Sequence, residues 1–345
     1  MLRSQIYLSI LCVTLIAVLN ITCNYTLQGN IDEKKAILEK VTIPLHGIDI
    51  HDNDYRDFSF LDEVLLDKRI VFLGEQLHAD GTTFEVKSKI IKYMHENLGY
   101  NVVLYEAGLY DMWYMEAQGT VEPKLGLYAF WWDNDEYRQL WDYYQKSKQT
   151  ENPILLGGFD VQLTGQIKET VRRALIENYL SSKNIDLSDY PAFDKNPKRV
   201  FQHWYWENRK FQTSLNDSIQ MDLSLILSKL EESDNSTHLP FKSMGTYLKE
   251  RYGNEAYSMA FTSYARKNKD GHLYNVASNK SIEYVLHLNN NNYAFIDLKN
   301  IEEESFLDKD IISTVNQMLS MKNNWKNQFD GLFFIHAITS ISTKK

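Results

Sequence analysis

The chain has 345 residues, 43% of them hydrophobic, and a formal net charge of −9. That length and apolar content can bury a large core in one domain or two. The acidic balance and the lack of any basic run exclude a nucleic-acid-binding protein.

Arg3 precedes an apolar run from Ile6 to Ile21, so residues 1–23 read as an export signal. Ser9, Thr14 and Asn20 interrupt the run, and it is short for a membrane span. Cleavage and export are therefore expected, to the periplasm or cell envelope. Cys23 closes the run as the cysteine of a bacterial lipoprotein signal does, although Asn20 and Thr22 fit that pattern poorly. Simple secretion and a lipid anchor at Cys23 both stay open, and that lipid is the one membrane attachment expected. The only other cysteine is Cys12, so disulfides contribute nothing to the folded body. Residues 24–54 read as a linker and approach with helical character from Ile31 to Val41, and Asp57–Leu66 as a short helix.

The chain is organised around Arg69 to Gly108. An apolar run, Arg69 to Leu73, breaks at Gly74 into Glu75, Gln76, Leu77 and His78, which reads as a strand ending in a polar loop. A helix follows from Thr83, taken as its N-cap, to Asn97, with Gly99 in the left-handed position beyond it. A second strand, Asn101 to Tyr105, ends at Glu106. A right-handed crossover would put both strands in one sheet with their C-terminal ends on one edge, where Glu75, His78 and Glu106 converge. On the helix Phe84, Ile90, Ile91, Met94 and Leu98 define an apolar arc with Lys87 at its centre. A carboxylate such as Glu75 or Glu106 is its natural partner; the plainer alternative is a lysine snorkelling past the sheet edge.

Tyr110 to Tyr144 holds more aromatic rings than one helix face can hide. Most of them pack the flanking layer, and some, Trp131 and Trp132 among them, are candidates to line a substrate pocket. Ile154 to Leu156 begins a third strand that ends in Asp160 and Gln162; these either join the polar cluster or cap the next helix. Residues 55–165 thus form the first part of an α/β body, and 166–233 an inserted helical lobe. The lobe comprises a helix over Gln166–Ser182, a long helix or pair over Asn196–Ser233, and the rings of Phe201, His203, Trp204, Tyr205, Trp206 and Phe211. Residues 238–345 return to the body, with strands at Tyr257–Ser263, Tyr293–Leu298 and Gly331–His336, helical stretches around Tyr247 and Ile311, and a turn at Asn289–Asn292. The expected fold is α/β, a mostly parallel central sheet flanked by helices, with an all-helical lobe.

No G-x-S-x-G or H-E-x-x-H occurs, and the body has no cysteine nucleophile. A histidine flanked by carboxylates remains, a set suited to activating water. His78 takes the proton while Glu75 or Glu106 fixes its tautomer, and Lys87 or a strand-end amide opposes the developing oxyanion. No cofactor is expected. A metal site built from His78 and the same carboxylates is the competing arrangement.

Four blocks, L-G-E-Q-L-H-A-D at Leu73 to Asp80, V-L-Y-E-A-G at Val103 to Gly108, G-F-D-V-Q at Gly158 to Gln162 and K-S-M-G-T-Y-L at Lys242 to Leu248, resemble the erythromycin esterase family. The resemblance runs from about Asp57 onward. It implies a macrolide lactone or related small-molecule ester opened by histidine-activated water, with Glu75 as the motif glutamate, His78 as base and Glu106 as the second-strand glutamate. Lys87 stands where the family usually has arginine, keeping the charge and losing the bidentate fork. Ala79 replaces the glycine that usually follows the histidine. Between Leu230 and Lys242 there is no room for the helix, strand and histidine-rich loop that the family places there. His238, the single histidine of that gap, is not assigned the missing role. Impaired activity is one expectation; a non-catalytic small-molecule-binding protein and a metal-dependent hydrolase are the alternatives.

Overall fold

The structure is a computed structural model that describes residues 30–342 apart from 120–121, 161, 197–216, 235–243, 269, 304 and 317–318. The expected export signal, the rings from Phe201 to Phe211, and His238 lie outside the described residues. The elements in the first half of the chain are α1 (residues 30–41), β1 (Thr42–Leu45), α2 (Phe60–Val64), β2 (Ile70–Leu73), α3 (Gly81–Leu98), β3 (Val102–Gly108), α4 (Leu109–Ala117), α5 (Ala129–Trp132), α6 (Asp135–Ser147) and β4 (Leu155–Asp160). They continue as α7 (Glu169–Ser182), α8 (Pro191–Asp194), α9 (Asp217–Asp234), α10 (Met244–Tyr252), β5 (Ala256–Lys267), β6 (Leu273–Asn275), α11 (Ile282–Leu288), β7 (Tyr293–Asp297), β8 (Ile311–Asn316), β9 (Leu319–Asn323) and β10 (Gly331–Thr339). Contacts divide the chain into two units, one of residues up to Lys89 with Leu248–Ile341, the other of Ile90–Tyr247 with residues 342–345.

The first unit is built on a six-stranded sheet of order β1-β7-β10-β5-β2, with β6 paired to β5. β5 is parallel to β2 and to β10, whereas β7 is antiparallel to both β10 and β1, so the sheet is mixed. The sequence A-Y-S-M-A-F-T-S-Y-A in β5 is buried at nearly every position, the pattern of a central strand covered on both faces. One face packs Ala260, Ala294, Ile296, Leu332 and Phe334 against Leu38 of α1 and Ile282, Val285 and Leu286 of α11. Phe60 of α2 stacks on Phe295 of β7 at 4.5 Å between ring centroids.

The stretch around Ile311, expected to be helical, is strand β8, which pairs with β9 in a hairpin. Its run I-I-S-T-V is rich in β-branched residues, which a helix crowds at χ1 and a strand accommodates. The expected helix over Asp57–Leu66 is a 3₁₀ turn, Arg56–Phe58, followed by α2. Strands β2 and β3, expected in one sheet, each pair elsewhere: β2 with β5, and β3 with β4. The β2 ladder continues past its ends through Arg69 N–H to the Glu255 carbonyl and Gly74 N–H to the Met259 carbonyl. The apolar run predicts that a strand exists; it does not choose among parallel partners, and the long apolar β5 takes that edge.

The second unit holds the parallel pair β3–β4. Glu116 of α4 fastens it by accepting from Leu156 N–H of β4 at 2.7 Å and from the Tyr144 hydroxyl of α6 at 2.7 Å, while Lys148 pairs with its other oxygen at 3.0 Å. The helical lobe has its own core of Leu180, Ile185, Leu187, Tyr190, Phe193 and Ile226. Asp222 of α9 accepts the Ala192 and Phe193 amides at 2.8 and 2.9 Å, satisfying the orphan N–H groups at the start of α8. Helix α7 begins at Glu169, three residues after the expected Gln166.

Candidate active site

In the first unit β2 delivers the chain to Gly74, where the backbone passes so close to β5 that a Cβ would sit 3.1 Å from the Met259 carbonyl oxygen. The turn that follows brings Glu75 and His78 together, with Glu75 Oε2 3.0 Å from His78 Nδ1. A carboxylate on Nδ1 holds the neutral ring with its proton there and its basic lone pair on Nε2, the state a general base requires. The His78 side chain is 72% exposed and that of Glu75 20%, so the imidazole is open to solvent while the carboxylate beside it is sheltered.

The same turn contains a polar network that the pattern of apolar residues did not disclose. Gln76 is fully buried, and its Nε2 donates to Asp80 Oδ2 at 3.2 Å and to the Thr83 hydroxyl at 3.1 Å. Asp80, 6% exposed, accepts the Thr83 amide at 3.1 Å and also the Thr83 hydroxyl. Asp80, and not Thr83, is therefore the N-cap of α3, and the helix starts at Gly81. Burial pushes the Asp80 carboxyl up to about 6, against the pull of its Thr83 and Gln76 donors and of Lys87. The chain reaches Asp80 through Ala79 at φ +61°, the left-handed region that a glycine enters without strain. The resemblance places its usual glycine at this position.

Lys87, half-buried, sets its ammonium 5.6 Å from the centroid of the Phe261 ring and acts electrostatically on Asp80. Of the expected arc, Phe84, Ile90 and Met94 are buried, but so are Lys89 and Lys92. The Lys89 ammonium donates to the Asp52 carbonyl and lies 4.7 Å from the Tyr55 ring centroid, partners that helical periodicity has no means of showing.

The remaining candidates belong to the second unit. Glu106 is exposed, at a register shift between Tyr105 and Gly108 that breaks the β3–β4 ladder. Gly108 has no room for a side chain, since a Cβ there would overlap the Gln162 carbonyl. Asp160 turns back to accept the Gln162 amide at 3.1 Å, and the Gln162 side-chain carbonyl accepts from the Tyr128 hydroxyl at 3.0 Å. Trp131 is buried against Phe130, ring centroids 5.0 Å apart. Trp132 keeps a buried indole N–H with no hydrogen-bond partner among the described residues.

Beneath this loop lies a buried ion pair, Asp111 with Arg172, at 3.0 Å and almost wholly out of solvent. Asp111 also accepts the Thr164 and Gly165 amides at 2.6 and 2.7 Å, and the Thr164 hydroxyl takes the Gly108 amide at 2.8 Å. The loop after β4 and the end of β3 are thus fixed to one carboxylate. Among the described residues no three His, Cys, Asp or Glu side chains cluster closely enough to hold a metal ion. Among the same residues no helix is long and apolar enough to cross a membrane.

No family model matches the chain. Over 122 residues it is 37% identical to the Bacillus subtilis (strain 168) protein named "Putative hydrolase YbfO", a match covering 33% of this chain and 27% of that protein. The chain is thus a distant relative of that protein over a stretch spanning about a quarter of its length. A crystal structure of a Bacillus cereus protein superposes with a TM-score of 0.62 at 16% identity, covering 91% of this chain and 99% of that one. A crystal structure of a succinoglycan biosynthesis protein does so with a TM-score of 0.61 at 14% identity, covering 91% and 98%. At those identities the likeness shows a shared α/β fold. A mutant of erythromycin esterase EreC in its open conformation has a TM-score of 0.48 at 11% identity over 88% of this chain and 98% of that one.

Proposed function

We propose that the chain is a hydrolase of the erythromycin-esterase kind, acting on a small-molecule ester or lactone, with a macrolide lactone as the finer assignment. The observation that carries this reading is the 3.0 Å contact of Glu75 with Nδ1 of a solvent-open His78. His78 Nε2 takes a proton from water as the water attacks the ester carbonyl, and Glu75 stabilises the imidazolium that forms. Lys87 offers a cation to the developing oxyanion. The matching stretch of a protein named a hydrolase and the four sequence blocks support the same reaction class. Glu106, Asp160, Gln162, Trp131 and Trp132 are the candidates for further carboxylate and substrate contacts, to be tested by single substitutions. The proposal includes export with the N-terminal signal removed, and the mass of the mature N-terminus distinguishes cleavage just before a lipid-bearing Cys23 from cleavage that leaves an unmodified end.

Purified protein should hydrolyse an activated aryl ester and inactivate a macrolide, and His78→Ala should lower turnover by roughly 100- to 10,000-fold. Equal turnover by the variant would sink the base assignment. An inert protein whose melting temperature still rises with a macrolide would instead be a binder.

A further inference from the structure

We infer that Asp80 is a positioning residue for the Glu75–His78 pair, acting through the buried Gln76 side chain that it holds. Of the residues from Glu75 to His78, Gln76 alone is fully buried; the two polar groups on either side of it are half-buried Glu75 and exposed His78. A four-residue turn with one side chain locked inward has its other side chains directed by that lock. The lock consists of two bonds, from Gln76 Nε2 to Asp80 at 3.2 Å and to Thr83 at 3.1 Å, and Asp80 in turn holds Thr83 through both amide and hydroxyl. The far end of the turn is held as well. Ile341 N–H donates to the Ala79 carbonyl at 3.0 Å, and Asp80 forms a bridge with Ser340. With both ends of the turn and its one buried side chain fixed, the carboxylate and imidazole have little freedom to separate. Among the described residues Gln76 Oε1 is buried without a hydrogen-bond partner, so there the amide is held inward by its donor side, and Asp80 is the charged one of its two acceptors.

The inference deepens the hydrolase reading and rests on it for the kinetic readout only. Asp80→Ser separates helix capping from positioning, because a serine still caps α3 but cannot reach Gln76. In protein labelled with ¹⁵N in its histidine side chains, His78 is identified by the signal lost in His78→Gln, and its tautomer is read above pH 8. The wild type should show the Nδ1–H form that Glu75 selects, and Asp80→Ser should revert toward the Nε2–H form preferred by a free imidazole. Turnover of an activated aryl ester should fall by roughly 100-fold in kcat with KM little changed. Gln76→Ala, which leaves the Asp80 cap intact, should give the same tautomer change and stands in if Asp80→Ser does not fold. An unchanged His78 tautomer in both variants overturns the inference, whatever happens to kcat. A changed tautomer in a protein without esterase activity leaves the positioning role standing and removes the hydrolase reading.

Discussion

Two buried carboxylates organise two loops in different ways. In the second unit Asp111 has a guanidinium and two backbone amides, so its charge is matched and the loop after β4 is fixed to it. In the first unit Asp80 is bound by a hydroxyl and two neutral N–H groups, with Lys87 acting on it only electrostatically, and burial raises its carboxyl to about 6. Burial raises the Asp111 carboxyl too, but there it works against a full countercharge and two amides. A carboxylate held by neutral donors stays titratable near the pH at which a histidine base works.

Removing the paired cation should have the largest effect. Arg172→Ala leaves Asp111 buried and uncompensated, and chemical denaturation should show a loss of about 3 to 5 kcal/mol. The contrast would collapse if that loss were no larger than for an exposed pair such as Arg138–Asp135. The pH dependence comes next. Because the Asp80 carboxyl is raised in the folded state from 3.8 to about 6, the folded protein binds the proton more readily than the unfolded chain between those values. Its contribution to stability therefore falls as pH rises from about 4 to about 6, by an amount on the order of 3 kcal/mol. Asp80→Ser should remove its share of that slope and leave the part due to Asp111, whose carboxyl burial also raises. The smallest effect is expected at Ala79, where a glycine relieves the left-handed strain while adding freedom to the unfolded chain. Ala79→Gly should stabilise the protein by about 0.5 to 1 kcal/mol, a rise of about 1 °C in melting temperature for a chain of this length.

Much of this arrangement is legible in the residues. The run from Ile70 to Leu73, its break at Gly74 and the polar letters beyond it predict a strand delivering Glu75 and His78 to a loop, and their spacing suits the contact observed. The strands at Tyr257, Tyr293 and Gly331 follow from apolar runs in the same way. What stays hidden is polar and non-local. Asp80 and Thr83 are both acceptable caps by residue type, and the Thr83 amide donating to the Asp80 carboxylate decides between them. Asp111 and Arg172 are far apart in sequence, and neither lies in a pattern that announces burial. Lys89 reads as a surface residue until the Asp52 carbonyl is placed against it. The partner of β2 could not be read at all, because strand pairing is decided by which strand buries more surface, a property of the assembled sheet.

That pairing has a consequence for how the protein is made. β2 and β5 are adjacent strands separated by about 180 residues, and at roughly 5 to 20 residues per second a ribosome needs about 10 to 40 seconds to add the second after the first. β10, which lies between β5 and β7 in the sheet, is synthesised later still. The second unit is largely continuous in the chain and can begin to collapse while the first still presents bare strand edges. A synonymous change that slows translation between Ile90 and Tyr247 would therefore lengthen the exposure of β1 and β2 without altering a single side chain, and would lower soluble yield rather than the stability of the folded protein.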